Sequence, residues 1–141
     1  MLYTPLTKKA LRICFDAHKE QTDKSGLPYV FHPFVVASQM QTENEVCTAL
    51  LHDVAEDTDI TLDDLAREFP PEVIRALTLL THREDMPYMD YVRAIRSDPL
   101  AAAVKLADLR HNSDLSRLDT VTPKDRERVE KYKTAIKILT E

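Results

Sequence analysis

Apolar residues recur along this chain at spacings of three and four positions, which is the period of one face of an α-helix. The pattern predicts eight helices, over residues 5–21, 33–41, 43–57, 62–69, 71–82, 87–97, 99–112 and 123–139. No stretch alternates polar and apolar residues over the length of a strand, and no Asn-Gly or Asp-Gly pair signals a hairpin. We therefore predict an all-α fold in which roughly three quarters of the residues are helical.

Capping residues mark the starts of several predicted helices. Thr4, Asp98 and Thr122 each stand directly before a proline, a pair of residues that is typical of a first helical turn. Residues 42–45 and 61–64 form capping boxes, in which a threonine and a later acidic residue bond to each other's backbone N–H groups. These signals locate the helix starts independently of the apolar pattern.

The helix predicted over residues 99–112 differs from its neighbours because it is apolar on nearly every side. Residues 100–109 include only two charged side chains, Lys105 and Asp108, so this helix is predicted to run through the centre of the bundle. A buried carboxylate is costly unless it is paired or bound to a metal. The last helix, residues 123–139, is highly charged with one apolar side, and we expect it to cover the bundle or, alternatively, to form an oligomer contact.

Length and composition predict the class of protein. A chain of 141 residues is long enough for one compact domain and too short for two, so we predict a single domain over residues 1–141. No run approaches the roughly 20 apolar residues of a membrane helix, and the charged N-terminus lacks the apolar core of a signal peptide. Cys14 and Cys47 lie in apolar helical patterns without metal-site spacing. We therefore predict a cytoplasmic protein whose cysteines are reduced and buried.

Composition also excludes two classes of function. A nucleic-acid-binding surface needs a basic stripe, and the formal net charge of −5 argues against one. Glycine-rich loops that bind phosphate need several glycines at fixed spacing, whereas Gly26 is the only glycine of the chain. If the protein handles phosphate, it must do so with side chains, with or without a metal.

The segment "HDVAED" places an imidazole and three carboxylates against the edge of an apolar stripe. If residues 43–57 form one helix, side chains four positions apart share a face. His52 then lies one turn before Glu56. Asp53 likewise lies one turn before Asp57. The four side chains would form a polar band beside the core.

Two residues elsewhere in the chain have the same chemistry. His32 stands at a predicted junction between a loop and a helix, and Asp108 lies on the central helix. Together with His52 and Asp53 they supply two imidazoles and two carboxylates, a suitable mixed set of ligands for Mn²⁺, Fe²⁺ or Zn²⁺. The two acidic residues one turn further along the "HDVAED" segment would then be placed to orient or deprotonate a water molecule.

Each of these residues also has an ordinary structural interpretation. Asp108 can be neutralised by Lys105 alone, and the acidic residues at 56–59 can form a solvated helix end. The other histidines show no ligand spacing and are predicted at the surface or behind the ligands, namely His18, His82 and His111. One at a time these alternatives are sufficient, but together they require four independent coincidences.

Three stretches of the chain resemble, in order, the motifs of a known family. "SGLPYVFHP", "ALLHDVAEDTD" and "VKLADLRHN" are similar to those of the HD-superfamily alarmone hydrolases, the (p)ppGpp 3′-pyrophosphohydrolase domain of RelA/SpoT enzymes and of small stand-alone hydrolases. The likeness extends from residue 17 through "HNSDLSRL". It implies a bundle of about eight to ten helices and hydrolysis of a 3′-diphosphate to GDP or GTP and pyrophosphate.

The resemblance also implies a role for particular residues. The positions that match the family's metal ligands, usually for Mn²⁺, are His32, His52, Asp53 and Asp108. The positions that match the pair activating water are Glu56 and Asp57. The positions that match substrate contacts are Lys24, Ser25 and Asn112.

Two positions depart from the family pattern. Asp23 stands where the family usually has the arginine of "RKSG", and Asp114 stands where it has the arginine of "HNMR". An aspartate cannot replace the stacking or phosphate pairing of an arginine, and its charge repels anions. A nearby group of residues either rebuilds a nucleotide pocket or belongs to the core and surface, namely Arg83, Tyr88, Tyr91 and Arg93.

Four functions remain open at this point. The leading one is a metal-dependent phosphohydrolase acting on a small-molecule nucleotide, with (p)ppGpp as first candidate. The second keeps the metal centre but acts on another nucleotide or phosphoester, in keeping with Asp23 and Asp114. The third is a non-catalytic HD module that binds a nucleotide or a protein partner. The fourth, a purely structural bundle, leaves Asp108 unexplained.

Overall fold

A computed structural model describes all of residues 1–141, and its regular secondary structure is helical. Its nine α-helices are α1 (Pro5–His18), α2 (Phe31–Ser38), α3 (Glu43–Leu51), α4 (Val54–Asp57), α5 (Leu62–Ala66), α6 (Pro71–Leu80), α7 (Tyr88–Arg96), α8 (Pro99–Asn112) and α9 (Pro123–Thr140). A short 3-10 turn spans Leu115–Arg117. The only β-type pairing is an isolated bridge between Thr22 and Pro28. The all-α prediction and the expected number of helices are confirmed.

Side-chain caps begin five of the helices at the predicted positions. Thr4, Thr42, Thr61 and Thr122 each form a complete capping box at the start of α1, α3, α5 and α9. Asp98 caps α8 by accepting hydrogen bonds from the backbone N–H groups of Leu100 and Ala101, at 2.9 and 3.2 Å. Each cap satisfies backbone donors that the helix leaves unpaired and contributes about 1 kcal/mol.

The helix α8 occupies the centre of the bundle, as its apolar sequence predicts. It packs against α2, α3, α6, α7 and α9. Its inward face is formed by small and branched side chains that are fully or almost fully buried, namely Ala101, Val104, Ala107 and Leu109. Asp108 is buried among them, with 5% of its surface exposed. This buried carboxylate therefore needs an ion-pair partner or a metal, as the sequence predicts.

The segment over residues 43–57 is not one helix, so that prediction is wrong. α3 ends at Leu51 and α4 begins at Val54, with His52 and Asp53 between them. The Nδ1–H of His52 donates to the Ala49 carbonyl, the oxygen that the Asp53 N–H would use in an uninterrupted helix. Asp53 then adopts φ −104° and ψ −4°, outside ordinary helical geometry. A side chain competing for a backbone acceptor therefore breaks the segment.

Several helix ends also differ from the sequence prediction. α1 ends at His18 instead of 21, α5 at Ala66 instead of 69 and α6 at Leu80 instead of 82. α2 lies at Phe31–Ser38 and not at 33–41, so His32 belongs to its first turn. α8 matches the predicted range at both ends.

The last helix covers one side of the bundle. α9 packs against α7 and α8, with Ala135 buried and the apolar side chains of Tyr132 and Ile136 against the core. The predicted covering role is confirmed, and an oligomer contact through this helix stays a prediction. Both Cys14 and Cys47 are buried and free. None of the helices is long enough and apolar enough to cross a membrane.

Candidate metal centre and active site

Four side chains from three parts of the chain meet in the interior. His32 comes from α2, His52 and Asp53 from the break between α3 and α4, and Asp108 from α8. Asp108 Oδ1 lies 2.7 Å from His32 Nε2 and 3.4 Å from His52 Nε2. His52 Nε2 lies 3.1 Å from Asp53 Oδ2. One ligand atom from each of His32, His52 and Asp53 falls within 4.8 Å of the others. The structure therefore brings together all four predicted ligands.

His52 presents the nitrogen that a metal requires. Its Nδ1–H donates to the Ala49 carbonyl, so the lone pair is left on Nε2. That Nε2 is buried and has no hydrogen-bond partner, although two carboxylates face it. Burial disfavours the imidazolium, but Asp53 and Asp108 outweigh burial and raise the pKa of His52. A divalent cation can take the place of that proton, so these donors fit a metal.

His32 is held from behind by a second histidine. His32 Nδ1 lies 2.7 Å from His111 Nδ1, and the two rings stack with centroids 4.9 Å apart. Burial, then Arg117 and His32, lower the pKa of His111 to about 4, so His111 is neutral near pH 7. A metal-ligating His32 must keep the lone pair of Nε2, and neutral His111 can accept the proton of its Nδ1–H. His111 therefore lies behind a candidate metal ligand. This is one of the two positions predicted for it, the other being the surface.

Asp108 is satisfied on both of its oxygens. Lys105 Nζ lies 2.9 Å from Oδ2, which is the pair that the alternative interpretation anticipates. Asn112 donates to Oδ1 at 3.1 Å, and His32 faces the same oxygen. Burial opposes ionisation, but Lys105 and then the histidines hold the pKa of Asp108 well below its usual range. The ion pair between Lys105 and Oδ2 does not explain why two imidazoles face Oδ1.

Asp53 is fixed by a hydroxyl that sequence reasoning missed. The Tyr29 hydroxyl donates to Asp53 Oδ2. Burial disfavours the charged carboxylate, yet His52 outweighs burial and lowers the pKa of Asp53 to about 2. Tyr29 stands three positions before His32 in the quoted "SGLPYVFHP" motif, so the signal was present in the sequence but had no assigned role.

The two candidate water-activating residues are placed differently. Glu56 lines a cavity together with His52 and Asp108, and partial burial, then Asp53 and Asp57, raise its pKa. Asp57 lies one turn beyond Asp53 and lines neither of the two cavities that flank the ligand cluster. Its backbone carbonyl accepts a hydrogen bond from Gln21 at 3.2 Å. Glu56 is therefore the better placed of the two to act on a water molecule.

Two cavities flank the ligand cluster. The larger has a volume of about 340 Å³ and contains the three predicted substrate contacts, Lys24, Ser25 and Asn112. Further polar residues of its wall were missed because they come from the C-terminal quarter of the chain, namely Arg117, Arg128 and Tyr132. The smaller has a volume of about 170 Å³, and Tyr29 and Asn112 line both.

Asp23 and Asp114 serve as turn caps. Asp23 Oδ1 accepts hydrogen bonds from the N–H groups of Ser25 and Leu27, at 2.8 and 3.0 Å. Its Oδ2 lies 3.6 Å from the guanidinium of Arg117. Asp114 caps the 3-10 turn through the N–H of Ser116 at 3.0 Å. Both acids line the larger cavity, where Asp23 is paired with Arg117 and Asp114 is held only by hydrogen bonds from Ser116.

The structure places the two tyrosines and the two arginines of this segment in different surroundings. Arg83 and Arg93 form exposed ion pairs with Asp85 and Asp90, at 2.8 and 3.0 Å, and belong to the surface. Tyr88 and Tyr91 line the smaller cavity. The arginines therefore belong to the surface and Tyr91 also belongs to the core, while contact of either tyrosine with a nucleotide stays a prediction.

Comparisons with known proteins agree with this geometry. A family model described as an HD domain matches residues 10–132. The mouse (Mus musculus) guanosine-3′,5′-bis(diphosphate) 3′-pyrophosphohydrolase MESH1 is 37% identical over 134 residues, which cover 84% of this chain and 74% of the relative. The human (Homo sapiens) MESH1 is 35% identical over 130 residues, which cover 82% of this chain and 72% of that protein.

Longer bacterial proteins and a solved structure are also similar. The bifunctional (p)ppGpp synthase/hydrolase SpoT of Escherichia coli (strain K12) is 31% identical over 137 residues, which are 86% of this chain but 19% of that protein. A solved metazoan orthologue of SpoT, described as hydrolysing ppGpp, superposes with a TM-score of 0.74 at 25% identity. The superposition covers 99% of this chain and 85% of the other.

Proposed function

The chain belongs to the HD-domain family, and from this premise we propose that it is a (p)ppGpp 3′-pyrophosphohydrolase, a single HD-type phosphohydrolase domain over residues 1–141. The reaction adds water across the bond between the 3′ oxygen and phosphorus of (p)ppGpp, and it releases pyrophosphate with GDP or GTP. The names of the MESH1 and SpoT relatives support this substrate. The cytoplasmic location of the protein stays a prediction.

The four clustered residues would hold a divalent metal. The His52 Nε2 atom, buried without a hydrogen-bond partner among two imidazoles and two carboxylates, carries this part of the proposal. We propose Mn²⁺ because imidazole and carboxylate together suit it, and Fe²⁺ and Zn²⁺ are the alternatives. When bound, the metal would act as a Lewis acid that polarises the phosphoryl group and eases deprotonation of water.

The side chains of the site have separate tasks in the reaction. Glu56 lines the smaller cavity and would take the proton of the attacking water, for which a raised pKa is favourable. Asp57, in the same acidic pair, would help to orient that water. Lys24, Ser25 and Asn112 would hold the nucleotide in the larger cavity. Ser25 must do so while its hydroxyl also donates to the Arg117 carbonyl at 2.8 Å.

A second candidate function is hydrolysis of a different nucleotide or phosphoester. It is favoured by Asp23 and Asp114, which remove two arginines expected in the substrate pocket. The larger cavity partly compensates for this loss, because Arg117 and Arg128 come into its wall from other elements. Arg128 is itself paired with Asp125 at 3.0 Å, so Lys24 is the one cation of the wall without an ion pair.

Elemental analysis of the purified protein, combined with ppGpp turnover in added Mn²⁺, tests the proposal. We expect a bound transition metal and release of pyrophosphate from ppGpp. A panel of other nucleotides and phosphoesters separates the second candidate, because activity on one of them without ppGpp turnover would establish it. A protein that binds nucleotide but hydrolyses no member of the panel would instead be a non-catalytic HD module.

A further inference from the structure

His18 is a buried histidine that the proposed reaction does not use. It is the last residue of α1, and its side chain is fully buried. Its Nδ1 atom lies 2.8 Å from the side-chain oxygen of Gln21, and its Nε2 atom is buried without a hydrogen-bond partner. An unpartnered buried nitrogen costs stability, whereas an apolar side chain of similar size would avoid that cost. Packing alone therefore does not explain why an imidazole occupies this position.

The hydrogen bonds of Gln21 determine which nitrogen of His18 carries a proton. The side-chain nitrogen of Gln21 lies 3.2 Å from the carbonyl oxygen of Asp57, and a carbonyl can only accept. The amide nitrogen must therefore be the atom at that carbonyl, and the amide oxygen faces His18. Since that oxygen can also only accept, the Nδ1 of His18 is the donor. The imidazole thus holds the amide in the one orientation in which it can donate to Asp57.

The helix α4 needs support from outside, because it consists of only four residues, Val54–Asp57. A helix this short is not stable by itself, and its carbonyl groups at the end have no partner within the helix. Gln21 provides the only side chain from another part of the fold that hydrogen-bonds to α4. The position of this helical turn, and of Glu56 within it, therefore depends on the Gln21 amide as well as on packing against α1 and α3.

The loop after α1 also supports Asp53, but it does so through its backbone. The Tyr29 N–H donates to the Gln21 carbonyl at 2.9 Å, and the Tyr29 ring packs against the His18 ring with centroids 5.1 Å apart. The Tyr29 hydroxyl in turn donates to Asp53. A change confined to the side chain of Gln21 leaves the backbone bond in place. The Gln21 amide is therefore expected to act on Glu56 without acting on the metal ligands.

We propose that His18 and Gln21 are positioning residues, through which the end of α1 holds α4 and keeps Glu56 in the wall of the smaller cavity. This inference rests on the proposed function, because Glu56 is the base assigned there. A base must lie within hydrogen-bond reach of the water whose proton it takes, and a small displacement of a reacting group lowers the rate strongly. His18 acts on Gln21, and Gln21 acts on α4.

Gln21→Met tests the amide, because it keeps the length of the side chain and removes both hydrogen bonds. We expect kcat for ppGpp to fall roughly 10- to 100-fold, while KM and metal content stay at the wild-type level. Hydrogen exchange at the backbone N–H groups of Asp57 and Thr58, measured on the protein as purified, should become faster because α4 opens more often. Gln41→Met, at an exposed glutamine of the loop between α2 and α3, is the matched control and should change none of these quantities.

His18→Asn and His18→Leu separate the Nδ1–H donor from packing. Asparagine keeps an N–H donor near the position of Nδ1, so His18→Asn should retain most of the wild-type kcat. Leucine removes both this donor and the unpartnered Nε2, so kcat should fall as it does in Gln21→Met while the melting temperature does not fall. A purely structural role for His18 would instead make kcat and the melting temperature fall together.

The outcomes separate this inference from the proposed function. A wild-type kcat in Gln21→Met, or an equal loss in His18→Asn and His18→Leu, overturns the inference. A rise in KM or a loss of metal also overturns it, because the amide would then act on the substrate or on the metal ligands. If the wild-type protein hydrolyses another nucleotide and not ppGpp, the proposed substrate is wrong, and kcat is compared on that nucleotide. Amide exchange of α4 that Gln21→Met leaves unchanged overturns the inference even in a protein without turnover.

Discussion

α8 and the segment over residues 43–57 both bring site residues to the centre of the bundle, but with different backbones. α8 is continuous over Pro99–Asn112, and it places Asp108 and Asn112 on one face because they are four positions apart. Consecutive residues on such a helix point roughly 100° apart. The break at His52 and Asp53 overcomes this divergence and brings the side chains of two neighbouring residues within 3.1 Å of each other.

The same contrast is seen in two aspartates at helix starts. Asp98 precedes α8, and its carboxylate caps the helix through two backbone N–H groups. Asp53 precedes α4 and makes no cap, because its carboxylate faces His52 and the Tyr29 hydroxyl. A residue type that normally stabilises a helix end is used at Asp53 for the site. Substitutions at these positions should therefore separate function from stability.

The largest effect is expected from Asp53→Ala. Loss of one of four ligands should abolish both metal retention and hydrolysis, as measured by elemental analysis and pyrophosphate release. Chelation should lower the melting temperature of the wild-type protein, because a ligand bound only to the folded state stabilises it, but should not affect this variant. Asp59→Ala, at an exposed aspartate two positions beyond α4, is the control and should retain metal and activity. Metal retention by Asp53→Ala would remove Asp53 from the ligand set.

Glu56→Gln should be the next largest effect. The amide cannot accept a proton, so turnover is expected to fall by roughly 10²- to 10⁴-fold, while metal content stays at the wild-type level. The comparison with Asp53→Ala then separates a residue that acts on water from one that holds the metal. Glu84→Gln changes an exposed glutamate outside the site and should leave turnover unaltered. Full turnover by Glu56→Gln would refute its role as the base.

Tyr29→Phe tests whether the Tyr29 hydroxyl is needed to orient Asp53 at the break between α3 and α4. Removal of the hydroxyl leaves Asp53 without the hydrogen bond that orients it, and metal affinity should fall by roughly 10- to 100-fold. Competition with a coloured chelator measures this affinity without reference to activity. An affinity equal to that of the wild-type protein would show that His52 and the backbone alone position Asp53.

Asp98→Ala should have the smallest effect, and it should change stability instead of metal binding or turnover. Loss of the α8 cap should lower the free energy of unfolding by about 1 kcal/mol, a shift of roughly 4 °C in melting temperature. Metal content and turnover at 25 °C should not change, because α8 holds Asp108 through its packed middle. Loss of metal from the folded variant would mean that the start of α8 controls the site.

Much of the fold could be predicted because its signals are local. The Thr and Asp caps and the apolar character of residues 99–112 depend on neighbours within a few positions. The break at His52 could not be predicted, since it depends on a side chain taking a backbone carbonyl that periodicity does not reveal. Residue chemistry and motif resemblance both indicated the four ligand candidates, but neither gave a role to Tyr29.

The walls of the site were the least predictable part. Arg117 and Arg128 reach the larger cavity from the 3-10 turn and from α9, and their helical spacing resembles that of any surface arginine. Asp23 was expected to repel substrate from its position in the motif, yet its oxygens are used within its own loop and toward Arg117. The contacts of this loop with Arg117 join residues more than ninety positions apart, which no local pattern contains.

The link between the loop at Asp23 and the turn at Arg117 couples these two positions in the wall of the larger cavity. Replacing Asp23 with the arginine usual in the family would set two guanidinium groups against each other and deprive the loop of its cap. Asp23→Arg alone is therefore expected to destabilise this loop, whereas Asp23→Arg combined with Arg117→Asp should restore an ion pair across the same gap.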